Sequence, residues 1–185
     1  MMHVQSLELE GAFYLEPNIF EDERGYFMEW FNLDRFKSII NKDFNIVQFN
    51  YSKSHYGVLR GLHYQLKPNA QAKLVSVTRG VVQDVIVDIR KRSRTYGRYY
   101  SVELSAEKRN QLYVPAGFAH GFLVLSEIAE VLYAIDNPYA PDCESGIIYN
   151  DEEIGIEWKM ESSQIILSEK DQFLTSLSKA KNNFE

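Results

Sequence analysis

The chain has 185 residues, of which 45 % are hydrophobic, 14 % aromatic and 25 % charged, a balance that suits one globular domain over 1–185 with enough apolar side chain to bury a core without disulfides. Its formal net charge of −6 argues against nucleic acid as the main partner, since a phosphate backbone calls for a broad basic surface, but leaves room for a small anionic ligand held by a local Arg/Lys cluster. The single cysteine, Cys143, excludes an internal disulfide framework and a Cys-rich metal site, and with no leader-type apolar segment and no run of membrane-spanning length the expected location is the cytoplasm, away from any membrane.

The first third of the chain predicts short strands at 13–15, 26–30 and 45–51. Between the last two lies a helical candidate, with Asn32 able to cap it and Phe36, Ile39 and Ile40 at helical spacing. From 57 to 135 the text is strand and turn: 57–66, 73–78, 81–90, 99–104, 111–114, 121–125 and 129–135, punctuated by Arg79-Gly80 and Pro115-Ala116-Gly117. Closely spaced strands without intervening helices imply a mostly β sandwich or barrel with few short helices. Residues 137–155, rich in Pro, Asp, Asn and Gly, read as long loops, and the polar tail at 179–185 as frayed.

Two segments carry chemistry. In Arg60-Gly61-Leu62-His63-Tyr64-Gln65, strict strand alternation sends Arg60 and His63 to opposite faces. They reach one pocket only if the strand bulges, and Gly61 is placed for that. His63 alone fits either a base in a pocket or a structural histidine bonded to a neighbour, and the residue by itself leaves both open. In Pro115-Ala116-Gly117-Phe118-Ala119-His120, the Pro-x-Gly-x-x-His spacing resembles the second motif of cupin barrels, where the turn reverses the chain and the His points inward. Cupins that bind metal carry His-x-His in the first motif; here that position reads His63-Tyr64-Gln65, with no Glu in the following Pro68-Asn69-Ala70. Two histidines without carboxylates are too few for a stable transition-metal site, so a cupin-like jelly-roll barrel with no metal is expected. Such a pocket works through side-chain acids and bases: His as base near neutral pH, Tyr as proton donor, Lys against a developing oxyanion, Asp to fix the tautomer of the His.

Six ordered segments then become recognisable together: Asp22-Glu23-Arg24-Gly25, Gly57 through Gln65, Ala72-Lys73-Leu74-Val75, Val87-Asp88-Ile89-Arg90, Pro115 through Phe122, and Leu167-Ser168-Glu169-Lys170-Asp171. They resemble the dTDP-4-dehydrorhamnose 3,5-epimerase family across nearly the whole chain. The resemblance implies a homodimer with exchanged N-terminal strands. It also implies a dTDP-4-keto-6-deoxyhexose substrate inverted at C3 and C5 toward dTDP-L-rhamnose, with no cofactor. Carried over, His63 matches the base, Asp171 its partner, Tyr133 the proton donor and Lys73 the enolate-stabilising residue. Arg24, Glu29, Gln48, Asn50, Arg60, His120, Glu144 and Lys170 match substrate contacts; Asp84 is an expected orienter of His120 and Tyr139 an expected cover for the thymine.

The chain departs from the family pattern at Ala134-Ile135, where Lys-Thr is frequent, at Pro138-Tyr139 in place of an aromatic pair, and at Phe49, where an acidic residue is often seen. A single-position epimerase on a related nucleotide deoxysugar is therefore the alternative. Two readings from other classes stand further off. A non-catalytic sugar-binding cupin predicts a missing catalytic group, and a metal-dependent oxygenase predicts a ligand at Gln65.

Overall fold

Strand-length runs rich in Val, Leu and Ile build the molecule. The computed structural model describes residues 2–185, in the order β1 His3–Ser6, β2 Phe13–Glu16, β3 Ile19–Asp22, β4 Gly25–Met28, α1 Leu33–Ile40, β5 Gln48–His55, β6 Leu59–Gln65, β7 Lys73–Arg79, β8 Val81–Asp88, β9 Tyr99–Ser105, β10 Gln111–Val114, β11 Phe118–Val124, β12 Ile128–Ile135, β13 Glu144–Gly146 and α2 Glu169–Gln172. A six-stranded sheet, β1-β2-β10-β7-β12-β5, lies against a five-stranded one, β13-β6-β11-β8-β9. Inner-face residues of both, among them Val75, Val77, Ile86, Leu104, Phe122 and Val131, form one cluster, the double-sheet layout of the expected cupin-like jelly roll.

Each sheet is covered on its outer face as well. Phe36 and Ile40 of α1 pack with Phe44 on Leu15, Leu74 and Tyr113; burying such a side chain contributes about 1.5–3 kcal/mol. Asn32 caps this helix as expected, its Oδ1 accepting from the Arg35 N–H at 3.1 Å, and Asn41 ends it in the left-handed region at φ 51°. The C-terminal third, through Ile147, Ile154, Leu177 and Phe184, covers Leu62, Val85 and Val87 of the five-stranded sheet. Burial on both faces explains why seven of the eight positions of β8 are buried, including Asp84 and Asp88.

The tail departs from its expected fraying. Asn182 donates to the Ile89 carbonyl at 2.6 Å, Asn183 exchanges hydrogen bonds with the Lys67 backbone at 3.0 and 3.1 Å, and Phe184 is only 4 % exposed. Polar composition misled because the asparagines satisfy loop backbone while one aromatic anchors the segment. β11 also starts at Phe118, three residues earlier than expected. Gly117, at φ +92°, completes the turn, and Phe118 already pairs with Asp88, so His120 is a strand residue. β1, β3 and β13 had no alternating apolar signal: β1 and β3 are largely exposed and β13 spans three residues.

Candidate active site

At one end the space between the sheets turns from apolar to polar. There it opens into a cavity of about 410 Å³ whose walls include His63 and Arg60 of β6, His120 of β11, Lys73 of β7 and Tyr133 of β12. That β6 contributes both Arg60 and His63 follows from a bulge. His120 pairs with His63 but Phe122 pairs with Arg60, so β6 carries one more residue than β11 over the same span. Gly61 makes this possible: its φ is +129°, and a Cβ there would lie 2.6 Å from Gly121 Cα and 2.9 Å from the His120 carbonyl oxygen. The close approach of two glycine backbones is what aims both side chains at one cavity.

Asp171 is brought to His63 from 108 residues away. The His63 Nε2–H donates to Asp171 Oδ1 at 2.6 Å, leaving Nδ1 without a partner among the described residues. Asp171 belongs to α2, whose cap is Ser168: the Ser168 Oγ accepts from the Asp171 N–H at 3.2 Å. Only 3 % of Asp171 is exposed. Burial alone would raise its carboxyl, but hydrogen bonds from His63, Ser168 and the Gly61 N–H hold it below its ordinary value. The bulge glycine thus shapes the strand and also helps keep the carboxylate charged. The Ser-x-x-Asp spacing of 168 and 171 is a helix-start signal that sequence reading could have used.

The opposite wall supplies Tyr133 and Lys73. Burial pushes the Tyr133 phenol up to about 12, and its O–H shares a hydrogen bond of 3.2 Å with Ser52 Oγ. Burial pulls the Lys73 ammonium down to about 8, with Asp84 and Glu144 opposing the fall; its Nζ donates to the His63 carbonyl at 3.4 Å. The ring of His120 meets that of Tyr133 edge-on, centroids 6.2 Å apart. Its Nε2–H donates to both oxygens of Asp84 at 3.0 Å, in a pair almost wholly buried. Asp84 therefore holds the His120 ring, as expected of it.

Around the mouth, Glu144 accepts from the Tyr139 O–H at 2.8 Å and pairs with Lys170 at 2.5 Å. Burial would raise the Glu144 carboxyl, yet Lys170 and Tyr139 hold it below its ordinary value. Gln48 lies behind the lining, donating to Asn50 at 2.6 Å and accepting from the Tyr139 N–H at 3.2 Å. Gln65, where metal-binding cupins place a ligand, is engaged with backbone: its amide donates to the Asn69 and Pro138 carbonyls at 2.7 and 3.2 Å and accepts from the Ala140 N–H at 2.8 Å. Arg24 and Glu29 are the expected site residues that lie apart from this cavity. Arg24 sits in the exposed β3–β4 hairpin, ion-paired with Asp22 at 2.5 Å, and Glu29 pairs with Arg35. Ser52, which lines the cavity, went unnoticed in the sequence because an isolated serine carries no pattern.

The family model described as dTDP-4-dehydrorhamnose 3,5-epimerase matches residues 6–179. The chain belongs to that family. It is 49 % identical over 170 residues to the dTDP-4-dehydrorhamnose 3,5-epimerase of Shigella flexneri, covering 92 % of this chain and 93 % of that one. Among solved structures, that of dTDP-4-dehydrorhamnose 3,5-epimerase from Elizabethkingia anophelis superposes with a TM-score of 0.94 at 48 % identity, covering 98 % of this chain and 99 % of the other. The dTDP-6-deoxy-D-glucose-3,5-epimerase of Legionella pneumophila, solved in complex with dTDP-4-keto-L-rhamnose, gives 0.93 at 41 % identity, with 97 % and 94 % covered. Membership in the family puts the His63–Asp171 pair and the facing Tyr133 in the setting of sugar epimerisation.

Proposed function

We propose that this chain, working as one cupin-like epimerase domain over 1–185, inverts C3 and C5 of a dTDP-4-keto-6-deoxyhexose in dTDP-L-rhamnose biosynthesis. The observation that carries the reading is a base and an acid on opposite walls of one cavity: His63 with Asp171 on the five-stranded side, Tyr133 on the six-stranded side. A ketone at C4 acidifies the protons on both neighbouring carbons. His63 Nδ1 takes one; the electron pair moves into a C=C bond and the charge settles on O4. Lys73, cationic below about 8, balances that charge in a site screened from water. Tyr133, whose phenol stays protonated to about 12, then donates from the other face, and the centre is inverted. The same pair serves the second carbon, and the chemistry needs neither a redox cofactor nor a metal.

Substrate holding falls to Arg60, His120, Asn50, Gln48, Glu144 and Lys170, with Tyr139, 52 % exposed at the mouth, offering its face to the thymine. Arg24 and Glu29 join the site of a second copy. Among the described residues the β3–β4 hairpin that carries Arg24 pairs with no other strand, and it presents Phe20 and Phe27, 60 % and 72 % exposed. A homodimer with exchanged N-terminal strands covers that apolar hairpin; a monomer at micromolar concentration in sedimentation would contradict it. Among the described residues no helix is long and apolar enough to cross a membrane, and a cytoplasmic location fits a nucleotide-sugar substrate.

Incubation with the 4-keto sugar in deuterated water tests the reading. It requires solvent deuterium at both C3 and C5 of the product. Deuterium at one carbon only would point to a single-position epimerase, for which Ile135 in the cavity wall gives some ground; no exchange would overturn the proposal.

A further inference from the structure

Each inversion consumes the proton of Tyr133, and two inversions on one bound sugar require the phenol to be recharged between them. The Tyr133 O–H has one hydrogen-bond partner among the described residues, Ser52 Oγ at 3.2 Å, and Ser52 Oγ has no other. The contact is built into the sheet. Tyr133 pairs with Asn50 and Val131 with Ser52, so Ser52 is the diagonal same-face neighbour of Tyr133. Ser54, two residues along on the same face, is already engaged by the Arg60 Nε–H at 2.9 Å and is buried. Ser52 is half-buried, lines the cavity and belongs to β5, the edge strand of its sheet.

Resting on the reading of Tyr133 as the acid, we infer that Ser52 is a positioning residue of the reaction, whose hydroxyl holds the Tyr133 O–H in line and passes it the solvent proton that restores the phenol between inversions. A hydroxyl has one proton to give and two lone pairs, so Ser52 can donate to the phenolate while accepting from water. The step balances. A C–H bond forms as the Tyr133 O–H breaks, and the phenolate takes the Ser52 hydroxyl proton as Ser52 takes one from water. The hydroxide left is neutralised by the proton His63 removed from the sugar. No electrons are gained or lost. Burial makes the bare phenolate costly, and of the groups acting on Tyr133 the Ser52 hydrogen bond is the chief one that eases it.

The test follows C3 and C5 by NMR in deuterated water for wild type, Ser52→Ala and Ser52→Thr, with the dTDP-4-keto-6-deoxyglucose substrate. Ser52→Ala should lower inversion about tenfold or more while deuterium entry from the His63 face stays within about twofold, and singly inverted sugar should accumulate. Ser52→Thr, which keeps the hydroxyl, should restore inversion. Inversion at the wild-type rate in Ser52→Ala, a parallel fall of inversion and exchange, or no recovery in Ser52→Thr would each overturn the inference. Absence of exchange in the wild-type protein would instead bring down the epimerase reading and this inference with it.

Discussion

Replacing Asp171 by Asn changes one atom and should disable the base. The carboxylate accepts from His63 Nε2 at 2.6 Å and is 3 % exposed, so the bond is charge-assisted and shielded from water. Such a bond contributes about 1.5–3 kcal/mol. Its full value appears only when His63 becomes an imidazolium, which at about 1.36 kcal/mol per decade is a loss of roughly 10- to 150-fold in proton abstraction. The amide adds a second effect: its N–H can donate to Nε2, which moves the ring proton to Nδ1, the nitrogen that has to be free. Asp171→Asn should therefore exchange the C3 and C5 protons at least about a hundredfold more slowly, with thermal unfolding close to that of wild type because the Ser168 cap engages the backbone N–H of residue 171 and the Gly61 N–H can still bond the amide oxygen. NMR of proton loss in deuterated water, paired with a melting curve, checks both. Exchange within about threefold of wild type in a folded variant would refute the role of Asp171; an unfolded variant would make the residue structural.

Three further outcomes are expected. Lys73, pulled down to about 8 by burial, is charged below that value and neutral above it. kcat/KM should therefore fall as pH rises through about 8, and Lys73→Arg, charged throughout, should lose that limb in a pH–rate profile; Tyr133, at about 12, cannot supply it. Gly61→Ala should cost about 1–3 kcal/mol from its φ of +129° alone, read by urea unfolding, and should depress exchange further by closing the bulge that aims His63. Asp88 is fully buried; burial would raise its carboxyl, but Arg90, Ser93 and Thr95 hold it below its ordinary value. Its contribution is thus present above the unfolded carboxylate range and lost as pH falls through the lower folded value. Asp88→Ala should cost about 3–5 kcal/mol at neutral pH and progressively less below about pH 4.

The strands of the central region and the capped helix were legible because they depend on local periodicity and on Asn32. That His63, Lys73, Tyr133 and Asp171 belong to one cavity was legible because the surrounding segments form an ordered set. What joins them was not. His63 and Asp171 are 108 residues apart, and no local pattern encodes their meeting. Gly61 pointed to a bulge, but only the pairing of both His63 and Arg60 across to β11 explains how two residues of opposite parity share a cavity. Arg24 and Glu29 stand apart from that cavity in the single chain, Arg24 paired with Asp22 and Glu29 with Arg35, and nothing in the local sequence around them encodes that separation. Ser52 and the docked tail eluded reading for one reason: a lone hydroxyl or asparagine acquires meaning from its partner alone.

The division of labour between the two walls is tested most directly by comparing His63→Ala and Tyr133→Phe in deuterated water. With one base and a separate acid, His63→Ala should lose exchange at both carbons, while Tyr133→Phe should keep exchange from the His63 face and lose inversion. Equal loss of exchange in the two variants would contradict the account.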